Sequence, residues 1–224
     1  GAKGGRAVDD LPSLTDLAPT FLDVAGVEIP EFMTGRSLVP LLKSDQTGLV
    51  EARRDAVFIG RERQVENARA DFAPYPQRAI RTKDFLFIIN FRPDRWPLGD
   101  PYRLDGDNPP SARELTEETR VSLPDEDAGP AKAWLVGMRN DPKWSSLFEH
   151  AYGKRPAEEL YDLKKDPHQM KNVAEESEYE SDRKKLRQRL MEELRKTGDP
   201  RLIDDGRFFE TPPMAGPVVE APRP

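Results

Sequence analysis

Glu158 to Asn172 reads EELYDLKKDPHQMKN, and the rest of the chain is arranged around it. The alternating run Glu159, Leu160, Tyr161, Asp162, Leu163 predicts a half-buried strand, with Leu160 and Asp162 on one face and Tyr161 on the other. Two lysines and Asp166-Pro167 end it, because the residue before a proline is pushed out of helical geometry and the proline presets a turn. Beyond Asn172-Val173-Ala174, Glu176 to Lys196 predicts the longest helix. Its Leu186, Leu190 and Leu194 recur every four residues opposite a charged face, and Gly198 closes it.

Working outward, Phe85 to Phe91 (FLFIINF) is apolar almost throughout, so this strand is expected to be covered on both faces. One cover is the long helix; the other is expected from material outside this chain. Arg78 to Arg81 precedes it across Thr82-Lys83-Asp84, which predicts a hairpin, and Ala56 to Ile59 reads as a further strand. Nearer the N-terminus, Asp16 to Gly26 predicts a helix. Asp16 serves as its N-cap, Pro19 falls in its first turn, and Leu17, Phe21, Leu22 and Ala25 share a face. Ser37 caps a short segment from Leu38 to Leu42. Arg92 to Pro110, rich in proline, is a long structured loop, and such loops inside compact domains are often functional. Short helices follow at Arg113 to Arg120, Ala131 to Met138 and Trp144 to His150. The fold class is therefore α+β: a small antiparallel sheet of about four strands packed by a long C-terminal helix, with extra short helices and long loops.

Composition narrows the function classes. The chain has 224 residues, 36% hydrophobic and 34% charged, with 22 prolines, which is lean for a self-sufficient core. Its formal charge of −6 is the wrong sign for a general nucleic-acid binder. With no cysteine there are no disulfides, thiolate metal sites or thiol nucleophiles. No run approaches the roughly eighteen apolar residues of a membrane helix. The start, Gly1 to Arg6, has neither an initiator methionine nor an apolar signal core and reads as the middle of something longer.

Several apparent motifs fail on chemistry. Gly1-Ala2-Lys3-Gly4-Gly5 lacks the preceding strand and following Gly-Lys-Ser/Thr of a phosphate loop. Asp105-Gly106-Asp107-Asn108 lacks the alternation and terminal glutamate of a calcium loop. His150 and His168 have no cysteine or third histidine to complete a zinc site. Arg78, Arg81, Lys83, Arg92, Arg95 and Arg103 gather around the hairpin and its loop. They read either as gatekeeping charges on a sheet edge or as a rim recognising an anionic group, for which arginine offers bidentate geometry.

Three segments carry a resemblance. Ser13 to Gly26 (SLTDLAPTFLDVAG), with Pro30 and Gly35-Arg36-Ser37-Leu38, resembles the segment that follows the metal-binding half of type I sulfatases. Arg78-Ala79-Ile80-Arg81-Thr82 with the Phe85 to Phe91 strand resembles the sheet of the sulfatase C-terminal subdomain, and Glu159 to Leu163 with Asp166-Pro167 and Asn172 is similar to that subdomain's signature. Arg92 to Pro97 and Gly198-Asp199-Pro200-Arg201 point toward the heparan N-sulfatase (sulfamidase) branch. The resemblance implies three parts: residues 1–54 as the tail end of the catalytic domain, 55–203 as the C-terminal α+β subdomain, and 204–224 as a proline-rich extended tail.

It also implies hydrolysis of sulfate esters or sulfamates, on a glycan, in a periplasmic or extracellular setting. The upstream catalytic domain would be the partner, and a sulfated glycan the substrate. Formylglycine and calcium are expected in that missing catalytic portion. The Cys/Ser-x-Pro-x-Arg source of formylglycine is absent here, and in Asn108-Pro109-Pro110-Ser111-Ala112-Arg113 the Ser and Arg fall at wrong offsets. No catalytic residue or metal ligand is therefore assigned in this chain, and it is expected to be inactive alone. Arg92, Asp94 and Arg95 are the candidate substrate-binding residues. The alternative is a non-catalytic interaction or anionic-glycan binding module derived from a sulfatase tail.

Overall fold

The computed structural model describes residues 4–212. The glycine-rich start through Lys3 and the proline-rich tail from Pro213 lie outside the described residues.

Four strands, β1 (Ala56–Arg61), β2 (Gln77–Thr82), β3 (Phe85–Asn90) and β4 (Glu158–Asp162), form one antiparallel sheet in sequence order. The β2–β3 hairpin turns over Lys83-Asp84, and the Thr82 hydroxyl accepts the Phe85 amide at 3.0 Å. The register places Phe58, Ile80, Phe87 and Leu160 side by side on one face. Against that face packs the long helix, Glu180–Lys196, with Leu186, Leu190 and Leu194 all buried as their spacing requires. Burying three leucines at about 1.5–3 kcal/mol each seats the helix on the sheet.

The stretch opening the sequence reading behaves as its residues dictate. Leu160 is fully buried in the sheet–helix core, while Tyr161 is buried on the opposite face and donates to the Glu159 carboxylate at 2.5 Å. Asp162 accepts the Lys164 amide at 3.0 Å, holding the turn, and Asn172 closes the free edge of β4 by accepting the Leu160 amide at 2.9 Å. The opposite edge, β1, has no comparable cover among the described residues.

The second face of the sheet corrects one expectation. Half of its cover comes from within this chain: Arg61 reaches the Pro97 carbonyl and Asp125, and Asn90 donates to the Pro156 carbonyl and Glu159. At the other half, Ile59 remains 50% exposed. Between β3 and β4 the chain builds a second small core that the sequence reading did not foresee. Leu104, Leu115, Leu123, Ala133, Val136, Phe148 and Tyr152 pack together there, carried largely by helices Ala112–Glu117, Pro130–Gly137 and Ser145–Tyr152. Ser111 caps the first of these in a reciprocal box with Glu114, whose carboxyl is held down to about 2, chiefly by the Ser111 amide and then by Arg103.

Numbered in chain order, the helices are α1 (Leu17–Ala25), α2 (Val39–Lys43), α3 to α5 in the inserted core, α6 on the sheet and α7 (Arg207–Glu210). Gly26 ends α1 in the left-handed region at φ +69°, as expected. The cap differs: Ser13 and Asp16 form a capping box on the preceding 3₁₀ turn, and Asp16 also accepts the Arg36 amide and the fully buried Arg54. Capping α1 is thus not its role; it ties three segments together. The helix face is corrected too. Pro19 and Thr20 are the buried residues, whereas Phe21 and Val24 are 67% and 72% exposed. Ser37 accepts the Val39 amide at 3.1 Å just ahead of α2, but Leu38, not Ser37, stands at its N-cap and makes no side-chain cap bond.

The extended tail expected from 204 onward is also corrected in its described part. Residues 204–210 fold into a tight turn and α7, pinned by ion pairs to the body.

Candidate functional site: an arginine cluster beneath the C-terminal turn

Arg92 and Arg95 lie on the loop leaving β3, and each meets the C-terminal turn. Arg92 Nη2 donates to Asp205 Oδ2 at 2.6 Å, and Arg95 Nη2 donates to Glu210 Oε2 at 2.8 Å. A second Arg95 nitrogen is fixed on the Pro74 carbonyl at 2.8 Å. Asp94 is exposed beside them and adds to the field on Arg92.

Beneath this layer sits a more rigid one. Fully buried Arg201 bonds Glu62 and Glu210 at 2.5 and 2.7 Å. Arg78, from β2, holds Asp199 at 2.6 Å and Glu62 at 2.8 Å. The Phe209 ring lies under both guanidiniums, 5.7 Å from Arg78 and 5.5 Å from Arg201. Arg63 adds a fifth guanidinium: its Nε donates to the Phe72 carbonyl, while its buried Nη2 has no partner among the described residues.

Five arginines therefore meet the carboxylates of Glu62, Asp199, Asp205 and Glu210, with Asp94 beside them, so the charges of the cluster balance. The bond from Arg92 holds the Asp205 carboxyl below its ordinary range. Burial alone would raise Asp199 and Glu210, but the arginine bonds outweigh it and both are lowered. Arg63 is pulled down chiefly by burial, which outweighs the opposing pull of Glu210 and Glu62.

The loop is held from behind by buried Arg69. Its Nε donates to the Trp96 carbonyl at 2.7 Å, and its Nη2 to the Pro97 carbonyl and Asp125, both at 2.8 Å. Gly99, at φ +97°, lets the loop pass where a Cβ would come within 2.5 Å of Pro124.

Of the basic residues grouped by the sequence, the fold brings Arg78, Arg92 and Arg95 together. Lys83 instead pairs with Asp9 and Arg103 with Glu114, both elsewhere. Sequence reading missed Glu62, Arg63, Arg69 and Glu210. Their partners lie up to 139 residues away, as for Arg201 and Glu62, and no local spacing reveals such pairs. No group of three or more acidic or histidine side chains suited to a metal occurs among the described residues, and none of their helices is long and apolar enough to cross a membrane.

Residues 1–107, which include the whole β1–β3 unit and the arginine loop, match the family model described as N-sulphoglucosamine sulphohydrolase, C-terminal. Over those residues the chain is similar to the C-terminal region of sulfatases. An ulvan-active sulfatase of Formosa agariphila is 26% identical over 88% of this chain and 31% of its own length. The human N-sulphoglucosamine sulphohydrolase is 25% identical over 88% of this chain and 34% of its own. A solved structure of a protein in complex with its substrate D-glucosamine-2-N,6-O-disulfate aligns with a TM-score of 0.47 at 24% identity, over 84% of this chain and 25% of that one. The chain thus spans about a third of the length of the curated relatives it matches.

Proposed function

We propose that this chain is the C-terminal part of a hydrolase that removes sulfate from a glycan, as ester or sulfamate. In the whole protein it would buttress the catalytic domain and line the substrate cleft. The observation that carries this reading is the exposed apolar stripe of α1. Leu17, Phe21 and Val24 recur at helical spacing along α1 and are exposed, as are Leu14 in the preceding 3₁₀ turn and Phe32, which is 81% exposed. A stripe of this kind marks a surface built to be covered, and in relatives three times as long a catalytic domain is the natural cover. Formylglycine and calcium would reside there; among the described residues no group of acidic or histidine side chains is suited to a metal.

At the cleft, Arg92 and Arg95 would bind sulfate oxygens through charge-assisted, bidentate bonds, with Asp94 accepting from sugar hydroxyls. In the full-length enzyme, Arg92→Ala or Arg95→Ala should raise KM for a sulfated sugar about tenfold or more with kcat little changed. Unchanged kinetics would remove these residues from the cleft. The 224-residue chain alone should show no sulfatase turnover, and measurable turnover by the pure chain would overturn the assignment. Strong, salt-sensitive heparin retention by the isolated chain, without a role in a longer enzyme, would favour an anionic-glycan binding module instead.

A further inference from the structure

We infer that residues 203–211 form a strap that occupies the arginine cluster and yields Arg92 to an incoming sulfated sugar. This rests on the substrate reading above and adds a competitor built into the fold.

The strap is firmly anchored at its base and loosely held at its tip. At the base, the Asp199 side chain caps the turn by accepting the Arg201 amide at 2.8 Å, and fully buried Arg201 is locked on Glu62. At the tip, Asp205 is 74% exposed on its pair with Arg92, which is itself partly open to solvent. Exposed pairs of this kind are worth little, whereas breaking a buried one leaves a stranded charge. The Asp205 carboxylate takes Arg92 Nη2, a donor that a sulfate oxygen would take. Ligand and strap therefore compete for that donor.

The backbone of the tip is strained in the same place. Asp204 and Asp205 sit at φ +48° and +53°, followed by Gly206 at +72°. Left-handed geometry is costly for a residue with a side chain and persists only where the surroundings impose it. Gly206 cannot be replaced cheaply, because a Cβ would lie 2.5 Å from the Arg201 guanidinium carbon. The outer side of the strap carries Ile203 and Phe208, both exposed, so nothing among the described residues clamps it from outside. Below it, the unpartnered Arg63 Nη2 stands close enough to Glu210 for the two charges to interact, so a donor is available when Glu210 shifts.

Asp205→Asn separates the strap from the site. Asparagine tolerates left-handed backbone, so the variant removes the charge while keeping the conformation. Binding of D-glucosamine-2-N,6-O-disulfate to the 224-residue chain, followed by calorimetry, should tighten roughly two- to fivefold in Asp205→Asn, the span of one exposed ion pair. Amide exchange in 203–211 should quicken when the same sugar is added to the wild-type chain. Equal or weaker binding by Asp205→Asn, while Arg92→Ala still abolishes binding, overturns the strap and leaves the site. Binding that survives Arg92→Ala, or that neither wild type nor Asp205→Asn shows, overturns the site and the strap together. An unchanged unfolding midpoint in Asp205→Asn confirms that the fold is intact in each comparison.

Discussion

Helices α1 and α6 carry the same kind of signal and meet opposite fates. In α6, Leu186, Leu190 and Leu194 are buried against the sheet, while in α1 the outward stripe of Leu17, Phe21 and Val24 is left uncovered. Periodicity states that a helix has an apolar face; it does not state what covers it. The cover of α6 is supplied by strands of this chain. Nothing among the described residues covers α1, whose buried residues are Pro19 and Thr20.

This contrast can be broken in graded steps. The largest effect is expected where α1 is tied to the body. Arg54 is fully buried on Asp16 and Glu51, and Arg54→Met would strand the Asp16 carboxylate at a cost of about 3–5 kcal/mol in chemical denaturation. Next, Leu190→Ala in α6 should lower stability by about 2–5 kcal/mol, because Leu190 is fully buried in the sheet–helix core. If Leu190→Ala cost under about 1 kcal/mol, the packing described for α6 would be wrong.

A smaller effect is expected in α4, which turns a lysine inward. Lys132 is buried on three carbonyls, those of Thr119, Leu123 and Glu126, and burial pulls its ammonium down to about 8. The folded chain therefore sheds this proton before the unfolded chain does. Between the folded value near 8 and the ordinary lysine value of 10.5, the unfolded state binds more protons, so this group makes stability rise with pH. Comparing denaturation at pH 7.5 and 10 in wild type and Lys132→Met should show that rise diminished in the variant. An identical pH dependence would remove Lys132 as its source.

The smallest effect is expected on α1 itself. Phe21→Asp should change the stability of the 224-residue chain by no more than about 0.5 kcal/mol, as for any exposed site. In a full-length protein the same substitution should lower the unfolding temperature clearly, because the surface would then be covered. A large loss in the 224-residue chain would show that α1 is already packed there.

Much of the fold was legible. The β2–β3 hairpin, β4 with its proline turn and the leucine row of α6 follow from alternation, turn residues and spacing, all local properties. The cap of α1 was misjudged, because Asp16 was in demand from Arg36 and Arg54, farther along the chain. The second core between β3 and β4 was read as loops and short helices, since each of its helices contributes only one or two apolar anchors. Of the candidate site, the sequence located Arg92 and Arg95 on a stiff, charged loop. It could not show that Asp205 and Glu210 meet them, because ion-pair partners more than a hundred residues apart leave no periodic trace.

The sequence alone determined the four strands, the β2–β3 turn and the long helix, and which family they resemble, because those depend on neighbours within a few residues. Only the tertiary structure decided that, among the described residues, α6 is covered and α1 is not, and that five arginines converge under one acidic turn. Burial and charge pairing are properties of surfaces brought together by folding, and the chain order does not contain them.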